Sequence, residues 1–250
     1  MKTVKPKLIT LREEYNKYLD RKARHIAFQL KHSKPVTKLL LSYISELYQS
    51  AKIKFFDNDH FRSAYHNPIS SDLEFLIARI LYNYSNFNKL GWSVFLRSQV
   101  GKTAPDIRVT KGEKTIAILE IKAKAGWIQH LFSEARYEEF KRRLKEKKTK
   151  GDPDELLRRV KEQLKKYYDS FNIGPSQYFM MLPSFALVHR KRSESRSVDY
   201  EKWFSLNSGL QRKNLILLSN NLTLDLSSNQ KQSEYQPTDR FEKFILRLGK

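Results

Sequence analysis

Up to Tyr84 the apolar positions of the chain recur at a helical period, and from Gly91 onward the period becomes that of an extended chain. Thr10, followed three residues later by Glu13, reads as a capping box and predicts a charged, solvated helix running to about Lys31. After Ser33 and Pro35, a second helix carries Val36, Leu39, Leu40, Tyr43, Ile44 and Leu47 on one face, which must pack against something. The polar stretch from Asp57 to Ser70 reads as a loop. A third helix, from about Asp72 to Tyr84, sets Leu73, Leu76, Ile77, Ile80, Leu81 and Tyr84 on one side and should lie against a sheet.

Strands are predicted at Trp92 to Arg97, Pro105 to Thr110 and Thr115 to Lys124, with a Gly-containing turn between Lys111 and Lys114. Three sequential strands of this kind predict an antiparallel meander. Two basic helices (Trp127 to Lys150, Pro153 to Phe171), an apolar strand (about Gln177 to Val188), a helix near Val198 to Phe204, strands near Leu215 to Leu226 and a helix from Asp239 complete the chain. The expectation is an α/β protein with a central mixed sheet, flanked by helices and extended by an N-terminal helical region. With no repeat and no low-complexity linker, it divides into a helical region over 1–69, a core over 70–190 and an extension over 191–250 packed on the core, together one compact domain.

Composition narrows the partner. The 48 Lys and Arg against 27 Asp and Glu give +21 at pH 7, a field that gathers polyanions and that exceeds what solubility requires. Nucleic acid is the expected partner, with binding that weakens steeply with salt; an acidic lipid surface or a Lys-rich lineage is the plainer alternative. An aromatic content of 12% argues for a folded chain. The absence of cysteine excludes disulfides, thiolate zinc sites, iron-sulfur clusters and cysteine nucleophiles. The longest apolar runs, Lys38 to Tyr43 and Phe179 to Val188, are too short to span a bilayer, and no secretory segment is visible, so a cytoplasmic protein without membrane contact is expected. No Gly-rich phosphate loop is present, and a nucleotide cofactor is not expected.

Three charged residues stand where strand interiors should be apolar. Glu120 and Lys122 follow Ile116 and Ile118 at even spacing and share one face of their strand, while Ala117, Leu119, Ile121 and Ala123 share the other. Asp106 begins the preceding strand, with Arg108 and Thr110 on its face. Whether Asp106 joins Glu120 depends on the hairpin loop. A three-residue loop, Lys111 to Glu113, sets Asp106 opposite Ile118 and diagonal to Glu120, about 7 to 8 Å away. A two- or four-residue loop separates them onto opposite faces unless a bulge corrects the register. Taken alone, Glu120 reads as half of a surface salt bridge and Asp106 as a turn residue. Together, two carboxylates with a nearby backbone carbonyl form a hard oxygen set suited to Mg²⁺ or Mn²⁺, with Lys122 placed to orient or activate the attacking water and to neutralise charge building on the phosphate.

Pro105-Asp106, thirteen intervening residues and then Glu120-Ile121-Lys122 resembles the PD-(D/E)xK nuclease superfamily, over about Ser70 to Val188. The resemblance implies a restriction-endonuclease-like core ordered helix, three strands, helix, strand. It also implies Mg²⁺-dependent hydrolysis of DNA phosphodiesters to 5′ phosphates, with Asp106, Glu120 and Lys122 catalytic and the two acids as metal ligands. A further acid of the superfamily comes from the helix before the sheet, where Glu74 stands, although a capping box with Ser71 also explains Glu74. Gln163 and Tyr167 are similar to the Gln-xxx-Tyr element of the RecB-like branch. The likeness is strongest to type II restriction endonucleases acting on a specific duplex site, which implies a homodimer by analogy. The alternatives are a RecB-like or junction-resolving nuclease, or a non-catalytic DNA-binding protein on the same scaffold.

For DNA contacts the sequence offers Lys124 beside the site, the basic run Lys141 to Lys150 with Arg142 and Arg143, and a second cluster with Arg190, Arg192 and Arg196. Trp127 reads as core. His130, close in sequence to the site, reads as packing or solvent, and His60 and His66 show no metal spacing.

Overall fold

A computed structural model of the chain describes residues 5–50, 69–101, 103–122, 153–184, 209–220 and 234–249, with the single positions Glu138, Arg142, Lys145, Glu146, Ser205 and Leu226. The basic positions Lys124, Arg143, Arg190, Arg192 and Arg196, as well as Trp127, His130, His60 and His66, lie outside the described residues, as do the predicted helix near Val198 and most of the one from Trp127.

Among the described residues three helices precede the sheet: α1 (Lys5–Lys31), α2 (Thr37–Ser50) and α3 (Ile69–Asn88). Because α1 already starts at Lys5, Thr10 and Glu13 lie inside it and the predicted capping box is not its start. The stripe read on α2 is the buried one: Val36, Leu40, Ile44 and Leu47 are enclosed, and Leu39 and Tyr43 pack at its border.

The sheet has five strands in the order β1 (Trp92–Leu96), β2 (Ile107–Lys111), β3 (Lys114–Ile121), β4 (Tyr178–Leu182) and β5 (Leu215–Leu217). The first three form the expected antiparallel meander. β3, β4 and β5 run parallel to one another, which makes the sheet mixed. A helix α4 (Pro153–Phe171) separates β3 from β4, and α5 (Arg240–Leu248) follows β5. Among the described residues no helix is long and apolar enough to cross a membrane.

The side-chain period of two sends alternate residues into two clusters. Ala117, Leu119, Ile121, Phe179 and Met181 face a core shared with α1, α2, α3 and α5. Ile118, Tyr178, Met180, Leu182, Leu215 and Leu217 face the other way, against Leu164, Tyr167 and Phe171 of α4. All five residues of β4 are buried, as a central strand covered on both faces requires, which is why it reads as an unbroken apolar run.

Glu242 ties α5 to the start of α2. Its Oε1 accepts the backbone N–H groups of Val36 and Thr37 at 2.7 and 2.8 Å, and its Oε2 accepts the Thr37 hydroxyl at 2.6 Å. A carboxylate at the start of α2 satisfies donors that a helix cannot satisfy itself and complements its dipole. At the outer edge of β5, the carbonyl of Leu215 accepts Arg240 Nη1 at 3.3 Å and that of Leu217 accepts the Thr238 hydroxyl. Those side chains occupy the edge acceptors that would otherwise template another strand.

Candidate active site

The register of the β2–β3 hairpin decides whether the two acids meet. Lys111 pairs with Lys114, so the turn is the two-residue Gly112-Glu113, with Gly112 at φ 58° in the left-handed region that such turns require. Extended without interruption, that turn would put Asp106 across from Leu119 and on the face away from Glu120. The ladder breaks after Thr110 and Thr115, however: Val109 pairs with Ala117 and Ile107 with Leu119, leaving Ile116 as the extra residue of a β-bulge. The next position in this register sets Asp106 opposite Glu120. Of the alternatives the sequence left open, the two-residue turn with a bulge that corrects the register is the one found, and the two acids stand directly across rather than diagonal.

At this end of the hairpin the side chains interlock. Asp106 Oδ2 accepts the backbone N–H of Ile121 at 2.7 Å. Glu120, only 3% exposed, is held from two sides: Lys122 Nζ donates to Oε2 at 2.8 Å and the Tyr167 hydroxyl donates to Oε1 at 2.6 Å. Gln163 Nε2 donates in turn to the Tyr167 oxygen at 3.2 Å. The predicted pair on α4 thus reaches the site, one helical turn supplying a two-step hydrogen-bonded chain to Glu120. The Lys122 backbone N–H donates to the Met181 carbonyl at 2.9 Å, fixing the end of β3 against β4.

The electrostatics follow from crowding. Burial, and then the neighbouring Glu120 charge, push the Asp106 carboxyl up to about 6, against the opposing pull of Lys122 and the Ile121 N–H. Burial draws the Lys122 ammonium down, but Glu120 and Asp106 outweigh it, so its proton is held more tightly than in water. Burial and Glu120 likewise raise the Tyr167 hydroxyl, which stays a donor. Above about pH 6 the centre therefore holds a charged Asp106 near the Lys122 ammonium.

Glu74 has a different partner from those expected. Since α3 begins at Ile69, Ser71 is inside the helix and caps nothing. Instead Arg97 binds Glu74 through two nitrogens, Nε to Oε2 at 2.6 Å and Nη2 to Oε1 at 3.0 Å, and Nη2 also donates to Ser71 Oγ at 3.0 Å. Arg97 directly follows β1 at φ 48°, a conformation that costs a non-glycine residue about 1 kcal/mol. Its backbone N–H donates to the Asp106 carbonyl at 3.0 Å, so a single residue touches Glu74 with its side chain and Asp106 with its main chain. The sequence carries no signal for this role of Arg97. The Glu74 charge is felt at both Asp106 and Lys122. Among the described residues, however, no three His, Asp or Glu side chains form a ready metal-ligand group.

Arg142 is exposed and pairs with Glu146 one turn along, at 2.7 Å. That contact is available to any solvated helix.

No protein-family model matches the sequence, and no curated protein or solved structure matches it either.

Proposed function

We propose that the chain is a Mg²⁺-dependent deoxyribonuclease whose centre is Asp106, Glu120 and Lys122. The observation that carries this reading is the Ile116 bulge, which brings Asp106 opposite Glu120 beside an ammonium. A bulge that re-aims one side chain at the end of a strand is a common device of active sites. The donor set fits a hard divalent ion, since both acids offer oxygen and stand directly across the hairpin.

Asp106 and Glu120 would hold the ion, which when bound supplies Lewis-acid activation of a phosphate oxygen and of the attacking water. The chain's own residues do the rest. Lys122, bound to Glu120, sits as a positive charge that would balance the negative charge growing on the phosphate oxygens in the transition state. Tyr167 and Gln163 orient Glu120 by hydrogen bonds and limit its rotation. Asp106 must lose its proton near pH 6 before it can serve as a ligand. Glu74 stands as a third acid only where Arg97 releases it.

In the finer reading the substrate is a specific duplex site and the enzyme a homodimer of the type II restriction kind. One observation favours the second reading, a RecB-like or junction-resolving nuclease: the chain from Gln163 through Tyr167 to Glu120. Incubation with plasmid, genomic and branched DNA, in Mg²⁺ or EDTA, beside Asp106→Ala and Lys122→Ala, tests both. Discrete Mg²⁺-dependent bands lost in both variants support a restriction enzyme, and smearing or cutting at branches alone supports the second reading. Cutting by neither the native chain nor the variants overturns catalysis and leaves a DNA-binding protein.

A further inference from the structure

A second basic feature lies away from the acids. Between the turn before β5 and α5 is a cleft of about 720 Å³, lined by Arg212, Lys213, Arg240, Lys243 and Arg247, with Asp239 as the one carboxylate among the described residues that line it. Asp239 is bound by Lys243 Nζ at 2.7 Å. Phe241, Phe244 and Ile245 bury one side of α5, and the three cations at 240, 243 and 247 follow the helical spacing along the edge of that side, where Phe244 also lines the cleft.

We propose that this cleft binds the phosphate backbone of duplex DNA as a site separate from the catalytic centre. The inference rests on the nuclease reading for the identity of the polyanion, but not for the cleft itself. Two features favour a row of phosphates over a single small anion. From Arg240 to Arg247 the helix rises about 10 Å, and one DNA strand presents about three phosphates over that length of axis. The turn cations Arg212 and Lys213 add a second line of charge beside it. The position is also suitable: Glu120, Met180 and Leu215 lie in one register row across β3, β4 and β5, so the wall of the cleft is two strand spacings, about 10 Å, from the catalytic row. A duplex bound at the centre extends over that distance. The contacts made by Arg247 to the carbonyl of Lys213 and to the amide oxygen of Asn214 are to neutral acceptors, which hold the guanidinium group without cancelling its charge.

The test is binding of a labelled duplex by fluorescence anisotropy in EDTA, over a range of salt, for the native chain, Lys213→Ala with Lys243→Ala, and Lys111→Ala with Lys114→Ala. All four lysines are exposed, so folding is preserved, and a thermal melt checks it. The cleft pair should lose about tenfold or more in affinity, and the slope of log affinity against log salt should become shallower by about 2, while the hairpin pair binds as the native chain does. Native affinity and slope in the cleft pair would overturn the proposal, as would an equal loss in the hairpin pair, no binding by the native chain, or tighter binding of duplex RNA. Failure of the two readings is distinguishable: a wrong cleft leaves Mg²⁺-dependent cutting intact, whereas a wrong catalytic centre leaves the metal-free binding difference intact.

Discussion

Glu74 and Glu120 are both buried acids at the same end of the molecule, one 4% and the other 3% exposed, and they are satisfied in opposite ways. Glu74 has a guanidinium to itself, in a two-point contact that leaves the pair neutral. Glu120 and Asp106 have one ammonium between them, and burial, then the Glu120 charge, raises the Asp106 carboxyl. A buried acid matched one to one is finished structure. An acid cluster short of one positive charge is a place where a cation adds stability, and the fold has kept it so at a cost.

The largest expected effect separates the two regions by activity. Asp106→Ala and Lys122→Met should each lower the rate of Mg²⁺-dependent cutting by about 10³-fold or more, in the range seen when a charge-stabilising group is removed from an active site. Glu74→Gln should change it far less if Arg97 remains its partner in the working enzyme. A loss at Glu74→Gln as large as at Asp106→Ala, with the melt unchanged, would mean that the clasp opens and that the two acids are not different in kind.

Neutralising each acid should also move stability in opposite directions. The Asp106 carboxyl titrates at about 6 in the fold against an ordinary 3.8, so the folded state binds its proton more tightly than the unfolded chain. Its contribution to stability is therefore most favourable below about pH 4, declines as pH rises through 6, and is at its least favourable above that. Asp106→Asn keeps an acceptor for the Ile121 N–H but not the charge. Without divalent ions it should melt higher than the native chain at pH 8, by about 2 kcal/mol, and equal it near pH 4. Breaking the neutral pair by Arg97→Ala should do the reverse, costing about 2 kcal/mol at pH 8 because it strands a buried carboxylate. Melting curves at both pH values check the two signs; a stabilising Arg97→Ala, or a destabilising Asp106→Asn at pH 8, would undo the contrast.

Much of this arrangement was legible in the sequence, though unevenly. The helical stripe from Leu73 to Tyr84 and the unbroken apolar run of β4 announce their elements because burial alone decides them. Glu120 and Lys122 announce themselves as charges on a strand that is otherwise apolar. Gln163 and Tyr167 could be named from their spacing, but only the packing of α4 on the sheet shows that the Tyr167 hydroxyl meets Glu120. The bulge at Ile116 is not legible: an isoleucine there fits an ordinary strand, and the register depends on how β2 and β3 settle against the helices on both faces. The Glu74–Arg97 clasp is hidden for a similar reason, since it joins residues 23 apart through a turn whose left-handed Arg97 no propensity predicts. Local rules suggested the capping box with Ser71 instead, and α3 starting earlier, at Ile69, removed its basis.

The smallest expected effect tests how finely Glu120 is held. Tyr167→Phe keeps the ring packed on Phe171 and Tyr178 but removes the hydroxyl that donates to Oε1, leaving Glu120 with one protein donor there instead of two. It should cost about 1 to 2 kcal/mol in stability and about tenfold in cutting rate. Because Glu120 can then turn further toward Lys122, the Mg²⁺ concentration for half-maximal rate should rise in Tyr167→Phe. Gln163→Ala, one hydrogen bond further out and at a distance of 3.2 Å, should give the same pattern at a few tenths of the size. A melt and a Mg²⁺ titration of both variants separate two roles for the chain. If stability falls but the Mg²⁺ dependence does not move, Tyr167 and Gln163 only fill space; a graded shift, larger at Tyr167 than at Gln163, would show that α4 tunes Glu120 through a chain of neutral donors, where Glu74 is held by the Arg97 guanidinium.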